Sequence, residues 1–123
     1  WTGIVREPQL AEGAMVGAPF TAEDPRDDVR RFVAAFRARF GVDPDGNAAL
    51  GYDATMLVAQ ALREGGRTRS AVRDWLKGRT SVQPFPGVTG PIAFHPSGDV
   101  VGKGYVMTRV RRGALVVDAV GRS

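Results

Sequence analysis

At 123 residues, 43% of them hydrophobic and 24% charged, the chain has the length and composition of one globular domain, and disorder is not indicated. The absence of cysteine excludes disulfides and thiolate chemistry and makes a zinc site unexpected. The net charge of +4 comes from 17 basic residues against 13 acids, and only Lys77 and Lys103 of the basic set are lysines. Arg30, Arg31, Arg37 and Arg39 share a stretch with Asp27 and Asp28, Arg63 neighbours Glu64, and Arg73 neighbours Asp74. No aromatic run interleaves with them as a base-stacking surface requires, so the arginines read as solvated helix faces and no nucleic-acid partner is expected. The longest apolar stretches fall far short of the roughly 20 residues of a membrane span. The chain opens at Trp1, not Met, without a basic-then-apolar leader, so a processed, cleaved or engineered N-terminus is expected.

In chain order, Ala14 to Ala18 read as a short strand closed by Pro19, which cannot donate within a ladder. A helix follows, with Asp24 expected to cap it and Pro25 to suit its first turn; Asp27 and Asp28 complement its positive end, and Gly41 stops it. Val29, Phe32, Val33, Phe36 and Phe40 recur at three- and four-residue spacing, one apolar stripe expected in the core. After a turn at Val42 to Gly46, a second helix is predicted from about Asn47 to Arg63. Leu50, Ala54, Leu57, Val58, Ala61 and Leu62 form its expected apolar face, and Asp53, Gln60 and Glu64 a narrow polar stripe. A third, shorter helix begins near Thr68, points Val72, Trp75 and Leu76 inward, and ends at Gly78. The three helices are expected to pack together, burying Phe32, Phe36, Leu57, Leu62, Trp75 and Leu76.

Beyond them, Val88 to Pro91 read as a turn, Ile92 to Phe94 as extended, and His95 to Asp99 as a tight turn. Tyr105 to Val110 and Ala114 to Val120 read as two strands joined at Arg111-Arg112-Gly113. Helices in the middle with strands at both ends argue for an α/β or α+β class.

The residues offer no catalytic site. His95 is the sole histidine, so a metal site with two histidines cannot form, and no metal or cofactor is expected. Ser97 and Asp99 stand close to it, but in one tight turn they read as capping residues and not as a triad. Gly87-Val88-Thr89-Gly90 and Gly102-Lys103-Gly104 lack the strand–loop–helix context of a phosphate cradle and read as hinges or turns. Asp43, Asp45 and Asp53 lack the alternation and terminal glutamate of a calcium loop. Tyr52 and Asp53 read as structural.

The succession of these pieces carries more information than any one of them. Glu12-Gly13-Ala14-Met15-Val16 leads to Pro19. There follow Phe32-Val33-Ala34-Ala35-Phe36, Arg39-Phe40-Gly41 and Pro44, then Ala48-Ala49-Leu50-Gly51-Tyr52-Asp53-Ala54 and Ala61-Leu62. Gly87 to Phe94 and Ser97-Gly98-Asp99 close the series. Over residues 12 to 113 this order resembles the C-terminal portion of the type I periplasmic substrate-binding proteins of ABC importers, the leucine/isoleucine/valine-binding family.

That resemblance implies an α/β fragment of a two-lobed fold, three helices flanked by strands. Residues 1–19 would end the C-terminal-lobe portion and begin the crossover, 20–102 would supply N-terminal-lobe helices and the return segment, and 103–123 the final strands of the C-terminal lobe. It implies solute capture with no covalent step, hence no enzyme, and amino acids or similar small polar solutes as ligands. An ABC permease in the membrane and the remaining N-terminal part of the same protein are the implied partners. The segment taken alone is expected to bind no amino acid and to self-associate. The location would be periplasmic or extracellular, with a lipid anchor ahead of this segment. The entry to the second helix, Asn47 and Ala48, is the implied ligand-binding contribution. Branched-chain amino acid binders tend to place an aromatic where this chain has Asn47, which favours a more polar solute. A ligand-sensing domain of a receptor or regulator shares the same pattern.

Overall fold

A computed structural model describes residues 8–122. The elements run α1 (Pro8–Ala11), β1 (Met15–Ala18), α2 (Asp27–Phe40), α3 (Gly46–Glu64), α4 (Arg69–Lys77), β2 (Phe85–Gly87), β3 (Gly90–Phe94), β4 (Val100–Val101), β5 (Val106–Arg111) and β6 (Ala114–Arg122). This is a mixed α/β chain with two three-stranded sheets, β1-β5-β6 and β2-β3-β4, each antiparallel at every described pairing. It divides into two compact units. One holds the residues up to Asp43 together with those from Gly104 onward, and the other runs from Pro44 to Lys103.

In the first unit, β1 pairs with β5 in the register Met15↔Arg109 to Ala18↔Val106, joining residues far apart in sequence. The Thr108 hydroxyl, fully buried, donates to the Val16 carbonyl at 2.8 Å and adds a side-chain bond to that ladder. Arg109 spans the sheet, paired with Asp118 at 2.7 Å and donating to the Gly13 carbonyl. The β5–β6 hairpin turns through Arg112 and Gly113, both at positive φ, as a two-residue turn between right-twisted strands demands. In α2, Val29, Phe32 and Val33 are buried, and Phe20 meets Phe32 edge-on with ring centroids 5.8 Å apart. Gly41 closes the helix in the left-handed conformation, its N–H donating to Arg37 O at 2.8 Å.

The second unit is a helix pair against a hairpin. Asp45 caps α3, its carboxylate accepting from Ala48 N at 2.8 Å, and Thr68 caps α4 by accepting from Ala71 N. Leu57, Phe85 and Ile92 form the core, with Trp75, Leu76 and Phe94 packed against it. Glu64 ties the helices together, accepting from the Trp75 indole at 3.0 Å and from Gln60 at 2.8 Å. The close approach is allowed by Gly65, where an added Cβ would stand 2.6 Å from Trp75 Cβ.

Three expectations need correction. Asp24 does not cap α2: its carboxylate accepts from Arg26 N and pairs with the Arg26 guanidinium, closing the turn before the helix, and Arg26 holds the cap position, its side chain making no capping bond to the helix N–H groups. The apolar stripe of α2 fades toward its end, with Phe36 half-buried and Phe40 57% exposed. Leu62 is 42% exposed, because α3 buries Ala49, Asp53, Leu57 and Ala61 instead of the row one residue further on. Strand β2 was not apparent in the sequence, since Phe85-Pro86-Gly87 reads as loop.

Candidate functional site

The first turn of α3 presents two kinds of donor. Ala48 N is already bonded to Asp45, whereas Gly46 and Asn47 have no carbonyl four residues back within the helix to receive their N–H groups. Asn47 is exposed and Ala48 half-buried. The Asn47 amide can both donate and accept, and it stands at the positive end of a 19-residue helix. This corner can orient a polar or anionic group by hydrogen bonds; it holds no nucleophile and no proton-transfer residue.

Further along, α3 carries a heavily bonded side chain. Asp53 is 2% exposed, and its carboxylate accepts from Val88 N at 2.8 Å, Thr89 N at 2.9 Å and the Thr89 hydroxyl at 2.6 Å. Lys103 in turn donates to the Thr89 hydroxyl and, at 3.3 Å, to the Thr89 carbonyl. A buried carboxylate is thereby linked through a threonine to an ammonium, which offsets the cost of removing its charge from water. Gly87 is required by this approach: a Cβ there would lie 2.5 Å from Asp53 Oδ2 and 2.9 Å from the Gly90 carbonyl. The Gly87–Gly90 segment is a turn, as its glycines indicated, and its donors are taken by the protein's own carboxylate. Lys103 and Thr89 were missed as partners of Asp53 because 35 or more residues separate α3 from this turn. The glycines bracketing both short motifs were the signal.

The His95 turn is bonded in the wrong order for catalysis. The Ser97 hydroxyl donates to Asp99 Oδ2 at 2.7 Å and lies 2.8 Å from His95 Nδ1, so serine stands between imidazole and carboxylate. A triad needs the histidine in that middle place. Asp43 engages Arg37, Asp45 caps α3 and Asp53 holds the hairpin, so the three aspartates do not converge on a common centre. Among the described residues no group of three or more histidine, cysteine, aspartate or glutamate side chains is placed to hold a metal ion.

The chain is thus a mixed α/β one whose α3 is pinned by Asp53 to a glycine-bracketed hairpin. A family model described as periplasmic binding protein matches residues 5–114, and the chain belongs to that family. Among solved structures, an ABC transporter substrate-binding protein from Desulfitobacterium hafniense in complex with Leu is 34% identical with a TM-score of 0.78, over 89% of this chain and 32% of the other. A branched-chain amino acid transporter substrate binding protein from Streptococcus pneumoniae in complex with isoleucine is 28% identical, TM-score 0.70, over 82% and 28%. A solute binding protein of an ABC transporter from Rhodopseudomonas palustris in complex with 3,4-dihydroxy benzoic acid is 26% identical, TM-score 0.68, over 85% and 29%. The chain thus spans about a third of the length of the solved structures it matches. No curated protein sequence matches it.

Proposed function

We propose that this chain is the C-terminal portion of the solute-binding component of an ABC importer. It captures an amino acid or a similar small polar solute by closure of two lobes around it, and it catalyses no reaction. The observation that carries the reading is the 34% identity, over 89% of the chain, to a substrate-binding protein holding leucine. In this reading residues 1–19 and 103–123 belong to the C-terminal lobe and residues 20–102 to the N-terminal lobe. Asn47 and Ala48 face the solute, and the polar amide of Asn47 favours a solute more polar than leucine. The protein works in the periplasm or outside the cell, held by a lipid anchor ahead of this segment, and delivers to a membrane permease. No helix among the described residues is long and apolar enough to cross a membrane. The rest of the same protein covers apolar side chains that this segment leaves bare, such as Phe40 and Val42, 57% and 61% exposed. Without it the segment associates with itself, as bare apolar faces do.

Titration calorimetry on the complete gene product, with apolar, polar and acidic amino acids and with 3,4-dihydroxybenzoate, tests this. Binding of one class at micromolar or tighter affinity is expected; no binding of any amino acid overturns the reading. Asn47→Ala should weaken the bound solute by about tenfold, the loss of one hydrogen bond, while changing stability by less than about 1 kcal/mol. Unchanged affinity removes Asn47 from the site.

A further inference from the structure

The second unit carries a groove of ≈ 570 Å³ that the solute reading does not use. Its floor is apolar: Val72 and Leu76 of α4, both half-buried, and Phe94 at the end of β3. Its rim is basic. Arg69, Arg73 and Lys77 follow one another at four-residue spacing along α4, all exposed, and no aspartate or glutamate lines the groove. Arg73 shares an exposed ion pair with Asp74 at 2.8 Å, but Arg69 and Lys77 form no ion pair among the described residues. Glu64, at the end of α3, is committed to Trp75 and Gln60.

Successive rim cations are one helical turn apart, about 6 Å along α4. A second helix laid beside α4, with carboxylates at the same four-residue spacing, would meet each cation in turn while its leucines entered the trough between α4 and Phe94. The chemistry of the two surfaces is complementary: apolar burial supplies affinity, and the matched charges select and orient the partner. A nucleic acid is a poor fit, because the floor is aliphatic and offers no stacking platform. A flat lipid surface is also a poor fit, because the apolar residues lie in a concavity behind the arginines. We infer that this groove is a docking site for an acidic amphipathic helix of a partner protein. The inference stands on the second unit alone and does not depend on solute capture.

The complete gene product is titrated with a synthetic helical peptide of about four turns, leucines on one face and glutamates flanking them. A peptide with lysine at every glutamate position, and vesicles containing phosphatidylglycerol, are run in parallel. The glutamate peptide is expected to bind, the lysine peptide not to, and binding to weaken as salt is raised. The double reversal Arg69→Glu/Lys77→Glu should weaken the glutamate peptide by at least about tenfold, with the thermal midpoint and solute affinity unchanged. If that variant loses its fold, Lys77→Gln replaces it, with a smaller weakening expected in the same direction. No binding of the glutamate peptide, or equal binding of both peptides, overturns the inference. Binding to the vesicles without binding to the peptide overturns it in favour of a membrane surface. Retained solute binding alongside any of these results leaves the transport reading intact.

Discussion

Helices α2 and α3 carry equally visible apolar stripes, yet α2 is buried along the first half of the one its sequence advertises, whereas α3 is buried along one edge of its own, at Leu57 and Ala61. In α2 the row of Val29, Phe32 and Val33 is the buried row. In α3 the buried row is Ala49, Asp53, Leu57 and Ala61, while Leu50, Val58 and Leu62, each one residue further on, stand 40–45% exposed. The helix is turned by one residue, about 100°, from the orientation hydrophobicity alone would choose. The reason is Asp53. Leaving three buried donors without an acceptor costs about 1–3 kcal/mol apiece. Half-exposing a leucine or valine forfeits only part of the roughly 1.5–3 kcal/mol of full burial. A dedicated polar knot therefore overrides the apolar count where it competes with partial exposure. Where no such knot exists, as in α2, the apolar count decides.

The largest test of that comparison is Asp53→Ala. It strands Val88 N, Thr89 N and the Thr89 hydroxyl, and should destabilise the protein by about 3 kcal/mol or more in chemical denaturation. Asp53→Asn, which keeps one acceptor oxygen, should fall between. A loss below about 1 kcal/mol for the alanine variant would mean that packing, not the carboxylate, sets the rotation of α3. Next in size is a paired truncation on the same helix. Leu57→Ala, in the Phe85 and Ile92 cluster, should cost about 3 kcal/mol, and Leu62→Ala less than about 1. Equal costs would restore the face that the sequence pattern favours and dissolve the contrast with α2.

Most local signals were legible where they could be settled within a few residues; Asp24, held by Arg26 in the turn before α2 and not at its cap, is the exception. Gly41, Gly78, the Thr68 start and the Arg112-Gly113 turn all stand where their chemistry puts them, because a cap or a positive φ is decided by its neighbours. The family was legible from the order of such pieces, and the family match over residues 5–114 bears that out. The rotation of α3 was not legible. Asp53 gains its partners from a turn 35 residues away, and a carboxylate within an otherwise apolar helix looks like surface until its donors are known. Strand β2 was hidden by Pro86, which sits opposite Pro91 in the hairpin register. As for the candidate site, Asn47 lies exposed in the first turn of α3, where sequence reasoning put it, but the Asp45 cap beside it was read only as part of a turn.

The smallest effect separates an exposed polar contact from the buried one. Beyond the end of α2, Arg37 donates through Nε and Nη2 to the Asp43 carboxylate, the latter at 3.0 Å, with both side chains more than half exposed. The hydrogen bond from Arg37 lowers the Asp43 pKa below its ordinary value; slight desolvation opposes this and the guanidinium charge adds to it. The Arg37 pKa is raised, first by the same hydrogen bond and then by the Asp43 charge. A depressed carboxylate contributes stability that is present above its unfolded pKa and lost as pH falls through the folded one. The raised arginine contributes below its unfolded pKa and loses its share only far into alkali, so within this pair the pH dependence across acid and neutral pH comes from Asp43. Thermal midpoints of the natural protein and of Asp43→Asn, compared between about pH 7 and about pH 3, should differ slightly at neutrality and converge in acid, and added salt should narrow the neutral gap. A gap that widens toward acid would contradict the assigned direction. A neutral gap as large as that of Asp53→Ala would erase the distinction on which the comparison of the two helices rests, since a solvated ion pair would then stabilise as much as a buried, fully bonded carboxylate.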